Sequence, residues 1–428
     1  MNLTHFLPEK HPLTVSPFPA IFEKARSLMM CAALILSATP ALAQVKPGID
    51  VLASRGFDIL QGKRVGLITN PTGVTAGLRS TVDVLEQARG VELVALFGPE
   101  HGVRGNIFAG KKVDHFTDKK TGLPVYSLYG KTHKPTPEML ADIDVLVYDI
   151  QDAGYRPYTY IYTMGYAMQA AAEQGLAFVV LDRPNPLGAD RLEGPILEEK
   201  YFSGIGRYAI PYLYGMTVGE LAQFVNAEYG YAVDLTVVPM QGYRRDMLFE
   251  DTGLQWVATS PHVPHARSAL FAAAVGTIGE LHTVSVGIGY TAPFELVGEV
   301  WIDPDELARE MNARNLPGVY FRPAWFRHYY HRSKDSEVGG VQIHLLDARL
   351  VSPQRVQLHL IDALRKLYPE HDILNATPER MSMFLKAMGT DRVHKALQAG
   401  TPPDSIIASW QKDLDAFDAV RKKYLIYP

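Results

Sequence analysis

The sequence contains one cysteine, Cys31, in 428 residues. This scarcity excludes a disulfide framework within the chain and a cysteine-based metal cluster. A basic surplus is lacking as well, since 42 Lys and Arg stand against 46 Asp and Glu and the formal net charge is −4. Proteins that bind nucleic acid neutralise phosphates with such a surplus, so we predict no nucleic-acid partner.

Long hydrophobic runs are also lacking. Crossing a bilayer takes about 20 residues, and the apolar segment LMMCAALILSA covers only residues 28–38. Lys24 and Arg26 precede this segment, and Ala-Leu-Ala follows it at 41–43. This order is typical of a secretory signal peptide. We therefore predict a signal peptide over residues 1–43 with cleavage near Ala43; a disordered tail with a buried helix is the alternative.

The predicted mature chain contains no cysteine. An exported protein without disulfides fits a bacterial periplasm or cell wall better than a eukaryotic secreted domain. We predict a periplasmic or secreted protein that is not inserted in the membrane after cleavage. Met29 and Met30 are alternative start positions.

The composition, with 47% hydrophobic and 21% charged residues, is that of a folded globular protein, and the length indicates more than one domain. After residue 44, short apolar runs alternate with helical patterns. The predicted strands are 64–69, 91–97, 145–150 and 177–182, and the predicted helices are 80–88 and 160–174. Such alternation predicts βαβ units and a parallel sheet. We predict an α/β fold with a Rossmann-like parallel-sheet domain over residues 44–215.

A second set of patterns begins near residue 217. The predicted helices are 218–229, 304–312 and 353–367, and the predicted strands are 235–239 and 341–346. We interpret residues 216–428 as a smaller C-terminal α/β domain.

Polar side chains follow each strand predicted in the first domain. Ligands of open parallel α/β sheets bind beyond the carboxyl ends of the strands, so we expect these side chains to share one edge. They are Asn70 after the first strand; Glu100 and His101 after the second; Asp149, Gln151, Asp152, Arg156, Tyr158 and Tyr160 at and after the third; and Asp182, Arg183 and Asn185 at and after the fourth. The alternative is that some of them cap helices or tie loops together.

This set of side chains favours glycoside hydrolysis, which needs a pair of carboxyl groups. Glu100, in a tight loop between Pro99 and His101, is the candidate general acid. His101 would orient Glu100 or carry a second proton; a loop-bonding role is the alternative.

Motifs for other chemistries are incomplete. The GKT at 130–132 lacks the earlier glycine of a phosphate-binding loop, and the GIG at 204–206 does not follow the first strand. His262 and His265 lie in a proline-containing extended loop without an adjacent third ligand. No HExxH or Gly-x-Ser-x-Gly motif occurs. We predict no metal and no cofactor; a metal site on the two histidines and a cofactor-binding Rossmann-like half are the alternatives.

Several segments resemble the exo-β-N-acetylmuramidase family (NamZ-type, glycoside hydrolase family 171). The matching stretches are GIDVL at 48–52, GLITNPTGV at 66–74, FGPEHGVRG at 97–105, VYDIQDAGYRPYTYI at 147–161, LDRPNPLGADRLEGP at 181–195, PYLYGMTVGELA at 211–222, TVSVGIGYTAPFELVG at 283–298 and GGVQIHLLD at 339–347. The resemblance implies a cleft between a Rossmann-like domain and a smaller domain. It also implies release of N-acetylmuramic acid from the non-reducing ends of peptidoglycan fragments during cell-wall turnover.

The resemblance also assigns residues. The family's motif glutamate falls on Glu100, and a second-half glutamate falls on Glu280, which we add to the predicted substrate contacts with Asn70, Gln151, Arg156, Tyr158, Tyr160, Arg183 and Asn185. Asp149, Asp152 or Asp182 would be the base, nucleophile or electrostatic stabiliser. The 2-acetamido group of the substrate is an alternative nucleophile.

Two positions depart from the family pattern. Ile288 occupies the place of an arginine and Tyr290 that of a threonine. An arginine is a natural partner for the lactyl carboxylate of muramic acid, and Arg156, Arg183 or Arg267 would have to replace it. A non-catalytic peptidoglycan-binding protein and an exo-glycosidase of altered sugar specificity are therefore the alternative functions.

Overall fold

The computed structural model describes residues 44–105, 115–327 and 335–428. The predicted signal peptide, with Cys31 and Ala43, lies outside the described residues. No helix in the described part of the chain is long and apolar enough to cross a membrane.

A seven-stranded sheet organises the first half of the chain. Its strands are β1 (Lys63–Thr69), β2 (Val91–Gly98), β3 (Phe116–Thr117), β4 (Pro124–Ser127), β5 (Val145–Asp149), β6 (Ala177–Leu181) and β7 (Asp234–Val238). The spatial order is β3-β4-β2-β1-β5-β6-β7, and every neighbouring pair is parallel except β3 with β4. The predicted α/β fold with a parallel sheet is confirmed.

The apolar runs form strands because helices cover both faces of the sheet. Alternate residues such as Leu67 and Val147 pack on one side with α1 (Gly48–Ser54) and α2 (Thr81–Glu86). Their neighbours, including Tyr148, pack on the other side with α4 (Tyr160–Gln174) and α5 (Val218–Glu228). The short helix α3 is Pro137–Leu140.

Local sequence fixes the helix ends. Gly175 ends α4 with a left-handed φ of 66°, a conformation that favours glycine. Thr217 and Glu220 form a reciprocal capping box at the start of α5. This cap places Thr217 at the end of β6, beside the predicted site.

A second, antiparallel sheet lies in the C-terminal half. Its strands are β8 (Leu296–Glu299), β9 (Val319–Phe326) and β10 (Val338–Leu345), in the order β8-β10-β9. It shares a core with α6 (Ala266–Leu281), α7 (Pro304–Ala313) and α8 (Pro353–Leu367). The remaining helices are α9 (Pro378–Met388), α10 (Arg392–Gln398), α11 (Pro403–Ala408) and α12 (Gln411–Arg421).

The strand predicted at 235–239 is β7, and it pairs with β6 in the large sheet. The parallel sheet thus continues beyond residue 215. The division into two domains at that position stays a prediction.

Candidate active site

The carboxyl ends of the central strands gather the predicted polar residues at one edge of the large sheet. Hydrogen bonds link the loops there: the Thr72 hydroxyl donates to Asn70 Oδ1 (2.5 Å) and accepts from the Gln151 backbone N–H (2.8 Å). The loops after β1 and β5 are therefore held together, as expected from the position of both strands in the centre of the sheet.

Glu100 lies among aromatic side chains. Burial, together with the charge of Glu100 and a hydrogen bond to it, raises the pKa of Tyr129 to about 12. Burial chiefly, and the charges of Tyr158 and Glu100, raise the pKa of Tyr160 well above its ordinary value. Burial and the neighbouring His101 lower the pKa of His262. We call Glu100, His101, Tyr129, Tyr160 and His262 the Glu100 site.

The backbone turns sharply at His101. His101 has a φ of 70° and Gly102 a φ of 73°. A left-handed conformation costs a residue with a side chain roughly 1 kcal/mol or more. His101 keeps this conformation in a buried position, with 8% of its surface exposed. Such local strain is common at functional sites.

Two tyrosines attach a distant loop to the site. The Tyr160 hydroxyl donates to the Thr259 carbonyl (2.5 Å), and the Tyr158 hydroxyl donates to Thr259 Oγ1 (2.7 Å). The two rings meet edge to face with centroids 5.0 Å apart. This loop continues to His262, so residues far along the chain form one wall of the site.

One buried carboxylate oxygen near this wall, Asp152 Oδ1, has no partner within the described residues. Asp152 Oδ2 accepts from the Tyr214 hydroxyl and from the Gly154 N–H (2.7 Å). Burial raises the pKa of Asp152 to about 6. Because buried polar atoms are normally paired, Asp152 Oδ1 is a candidate for contact with a ligand.

Asp149 and Arg183 are bound to each other. Arg183 Nε and Nη2 donate to the two Asp149 carboxylate oxygens at 2.5 and 2.9 Å. Asp149 also accepts from the Thr81 hydroxyl, and Arg183 also donates to the Val74 carbonyl (2.7 Å). Asp149 is fully buried and Arg183 is 4% exposed. This geometry does not support their predicted catalytic and substrate-binding roles, and we omit them from the proposed site.

Asp182 has structural partners as well. Its carboxylate accepts from the backbone N–H groups of Arg183 (2.9 Å) and Gly219 (2.8 Å). It also accepts from the hydroxyls of Thr217 (2.7 Å) and Tyr427 (2.6 Å). Burial raises the pKa of this carboxyl to about 6. With no exposed surface, Asp182 joins β6, α5 and the C-terminus, and we omit it from the proposed catalytic set.

Three more of the predicted substrate contacts have partners within the protein. The Arg156 guanidinium is fully buried and donates to the carbonyls of Pro195, Ile210, Ala387 and Met388. The side chains of Gln151 and Asn185 bond to the backbone of nearby loops. These three residues hold segments of the chain together, as the alternative interpretation of the strand-end residues predicts.

Glu280 lies elsewhere. It lines a cavity of about 220 Å³ whose other walls include Tyr155, Tyr212, Ile288 and Phe294. Burial raises its pKa. Glu280 is near the end of α6, roughly 21 Å along the helix axis from the first residue of that helix. The structure therefore places Glu280 in a cavity to which Glu100 does not contribute.

The described residues include no group of three His, Cys, Asp or Glu side chains positioned to hold a metal ion. His262 instead lies close enough to His101 for the charge of His101 to lower its pKa. Tyr129, Thr259 and His262 are not among the side chains that the sequence predicts for the site. They come from loops, and only the position of each loop in the fold brings it to Glu100.

Comparisons with known proteins agree on one family. The model of the N-terminal part of exo-beta-N-acetylmuramidase NamZ matches residues 65–267, and the model of its C-terminal part matches residues 273–427. The peptidoglycan beta-N-acetylmuramidase NamZ of Bacillus subtilis (strain 168) is 47% identical over 384 residues, which cover 90% of this chain and 92% of the relative.

Two crystal structures of DUF1343 family proteins from Bacteroides fragilis NCTC 9343 are similar to the fold. The first is 46% identical with a TM-score of 0.86, over 91% of this chain and all of the other. The second is 30% identical with a TM-score of 0.70, over 90% of this chain and 99% of the other.

Proposed function

Because this chain belongs to the exo-beta-N-acetylmuramidase NamZ family, we propose that it is an exo-acting glycosidase. Its reaction is the release of N-acetylmuramic acid from the non-reducing ends of peptidoglycan fragments. The observation that carries the proposal is Glu100, a carboxylate at the carboxyl edge of the sheet, surrounded by Tyr129, Tyr160 and His101. The 47% identity to a peptidoglycan beta-N-acetylmuramidase supports the same reaction.

Glu100 is the general acid in this proposal. It is part-exposed, so its proton can reach the glycosidic oxygen of a bound saccharide. The Tyr129 hydroxyl, whose raised pKa keeps it protonated, is available as a hydrogen-bond donor to the Glu100 carboxylate after the proton has left. His101 borders Glu100 and orients it.

Asp152 is the second carboxyl group. Among the three aspartates predicted for this role, Asp149 and Asp182 have both oxygens bonded, whereas Asp152 Oδ1 has no partner within the described residues. We assign Asp152 to accept a hydrogen bond from the substrate, either from an attacking water or from the 2-acetamido N–H. The acetamido oxygen then attacks the anomeric carbon in the second case.

The remaining features of the proposal concern location and architecture. Residues 1–43 are a signal peptide, and the mature enzyme acts in the periplasm or outside the cell on fragments of the wall. The region around the small sheet closes the site through the loop that carries Thr259 and His262. No metal and no cofactor takes part.

The test uses purified residues 44–428 with para-nitrophenyl N-acetyl-β-muraminide and the matching glucosaminide. We expect release from the muraminide and a loss of at least about 10²-fold in kcat for Glu100→Gln, since general acids contribute about 10²–10⁴-fold. Full activity of Glu100→Gln contradicts the assignment of the acid. Release from neither substrate, with saccharide binding retained, favours the binding-protein alternative.

A further inference from the structure

The loop after β4 lies beside the Glu100 site. Because β4 is parallel to β2, the two strands end at the same edge of the sheet. The Leu128 N–H donates to the Gly98 carbonyl at the end of β2 (2.8 Å), two residues before Glu100. Tyr129 follows Leu128 directly and is hydrogen-bonded to Glu100. This loop therefore continues the site outward from the proposed acid.

A row of aromatic side chains leads away from Tyr129. The His133 ring meets the Tyr129 ring edge to face with centroids 6.2 Å apart, and it stacks on the ring of Tyr166 in α4 at 6.1 Å. The Arg207 guanidinium lies over the Tyr166 ring, 4.1 Å from its centroid, and donates to its hydroxyl. We call Tyr129, His133, Tyr166 and Arg207 the aromatic strip. The contacts between neighbouring members make it one continuous surface that begins at Glu100.

The aromatic strip is open to solvent. His133 is exposed, and Tyr129, Tyr166 and Arg207 are part-exposed. Tyr162, on the same helix as Tyr166, is buried with 1% of its surface exposed, as expected for a core ring. Aromatic rings in a row at the surface are typical of binding surfaces. The apolar rings and polar tips of such side chains suit the apolar faces and hydroxyls of sugars.

The start of the aromatic strip at Glu100 indicates which part of the substrate it binds. A general acid protonates the oxygen of the leaving group, so we expect a surface that continues outward from Glu100 to lie on the leaving-group side of the scissile bond. An exo-acting enzyme holds only the terminal sugar on the other side. We propose that the aromatic strip binds the sugars that follow the scissile bond, so that the protein prefers longer glycan fragments to disaccharides. The inference rests on the proposed function.

The experiment measures kcat/KM on the para-nitrophenyl muraminide and on a peptide-free disaccharide and tetrasaccharide with N-acetylmuramic acid at the non-reducing end. In the unaltered protein, kcat/KM should be higher on the tetrasaccharide than on the disaccharide. In His133→Ala, the ratio of kcat/KM on the tetrasaccharide to kcat/KM on the muraminide should fall about 3- to 10-fold, the loss expected for one or two aromatic contacts. Arg207→Met should give a smaller fall in this ratio, because Tyr166 loses the group that fixes its ring.

His371→Ala is the matched control. His371 is also exposed and stacked on an aromatic ring, that of Trp301, with centroids 4.7 Å apart, but neither residue belongs to the aromatic strip. The ratio should therefore be the same in His371→Ala and in the unaltered protein.

An unchanged ratio in a folded His133→Ala protein overturns the inference, and so does an equal kcat/KM of the unaltered protein on the disaccharide and the tetrasaccharide. If the unaltered protein cleaves none of these substrates, the proposed function fails, and calorimetry with the tetrasaccharide decides the role of the aromatic strip. Weaker binding by His133→Ala than by His371→Ala then supports the inference, and equal or undetectable binding by both overturns it.

Discussion

Two groups of acidic residues follow the strands of the same sheet edge, yet their surroundings differ. Asp149 and Asp182 are fully buried, and both oxygens of each accept hydrogen bonds from protein groups. Glu100 is part-exposed among aromatic side chains, and Asp152 keeps one oxygen without a partner in the described residues. Proximity to a strand end therefore does not separate these two groups; their burial and their hydrogen bonds do.

The difference has an energetic meaning. Satisfying a buried carboxylate stabilises the fold, whereas leaving one oxygen unpaired costs free energy. Asp149 and Asp182 thus help to hold the sheet edge together. The unpaired Asp152 oxygen lowers the free energy of unfolding, and a hydrogen bond from a bound substrate can offset this loss. Substitutions should separate the two groups by whether they change the free energy of unfolding or the rate.

The largest expected effect belongs to Asp149→Asn. The substitution leaves the buried Arg183 guanidinium without a counter-charge, and breaking a buried pair costs about 3–5 kcal/mol. Urea denaturation measures the free energy of unfolding. Asp142→Asn is the control, since Asp142 pairs with Arg64 at the surface and such pairs contribute about 0–1 kcal/mol. Equal losses in the two variants would contradict a stabilising role for the buried Asp149–Arg183 pair.

Asp152→Asn should have the opposite pattern. The amide can still accept from Tyr214, so we expect a free energy of unfolding that is unchanged or higher, because the desolvation cost of a buried charge is removed. The rate should fall by about 10²-fold. The carboxylate form is populated above a pKa of about 6, so kcat/KM should rise through that pH and the variant should lose this limb. A large loss of stability in Asp152→Asn would instead assign Asp152 a structural role like that of Asp149.

The sequence predicted the elements of the sheet correctly because buried parallel strands are recognisable as apolar runs. It also placed Asn70, Glu100 and Asp152 at one edge, which follows from the topology of such sheets. The sequence did not show which of the other polar residues have structural partners. One of the hydroxyls that bind Asp182 belongs to Tyr427, 245 positions away, and Arg156 bonds to the carbonyls of Ala387 and Met388. Contacts at such separations depend on the whole fold.

Asp182 offers a test by pH. Its pKa of about 6 in the folded protein lies above its value of about 3.9 in an unfolded chain. The folded state therefore binds more protons between these values, and the contribution of Asp182 to stability is complete below about pH 4 and is lost as the pH rises through 6. The difference is on the order of 3 kcal/mol. The free energy of unfolding should fall from pH 5 to pH 7 in the unaltered protein, and this fall should be smaller in Asp182→Asn. An equal fall in both proteins would contradict the assignment.

The smallest effect is expected for Tyr427→Phe, which removes one donor to Asp182 and one acceptor for the Met240 N–H. The loss should be about 1–2 kcal/mol, because a buried hydrogen bond is removed while its partners stay buried. Tyr424→Phe is the matched control, since its hydroxyl bonds to Glu228 in an exposed setting and its loss should be nearly neutral. Activity on the muraminide should be equal in both variants, because neither hydroxyl reaches the Glu100 site. If Tyr427→Phe lowers the rate without lowering stability, the bonded carboxylates and the catalytic ones form one network, and Asp182 would return to the candidate catalytic residues.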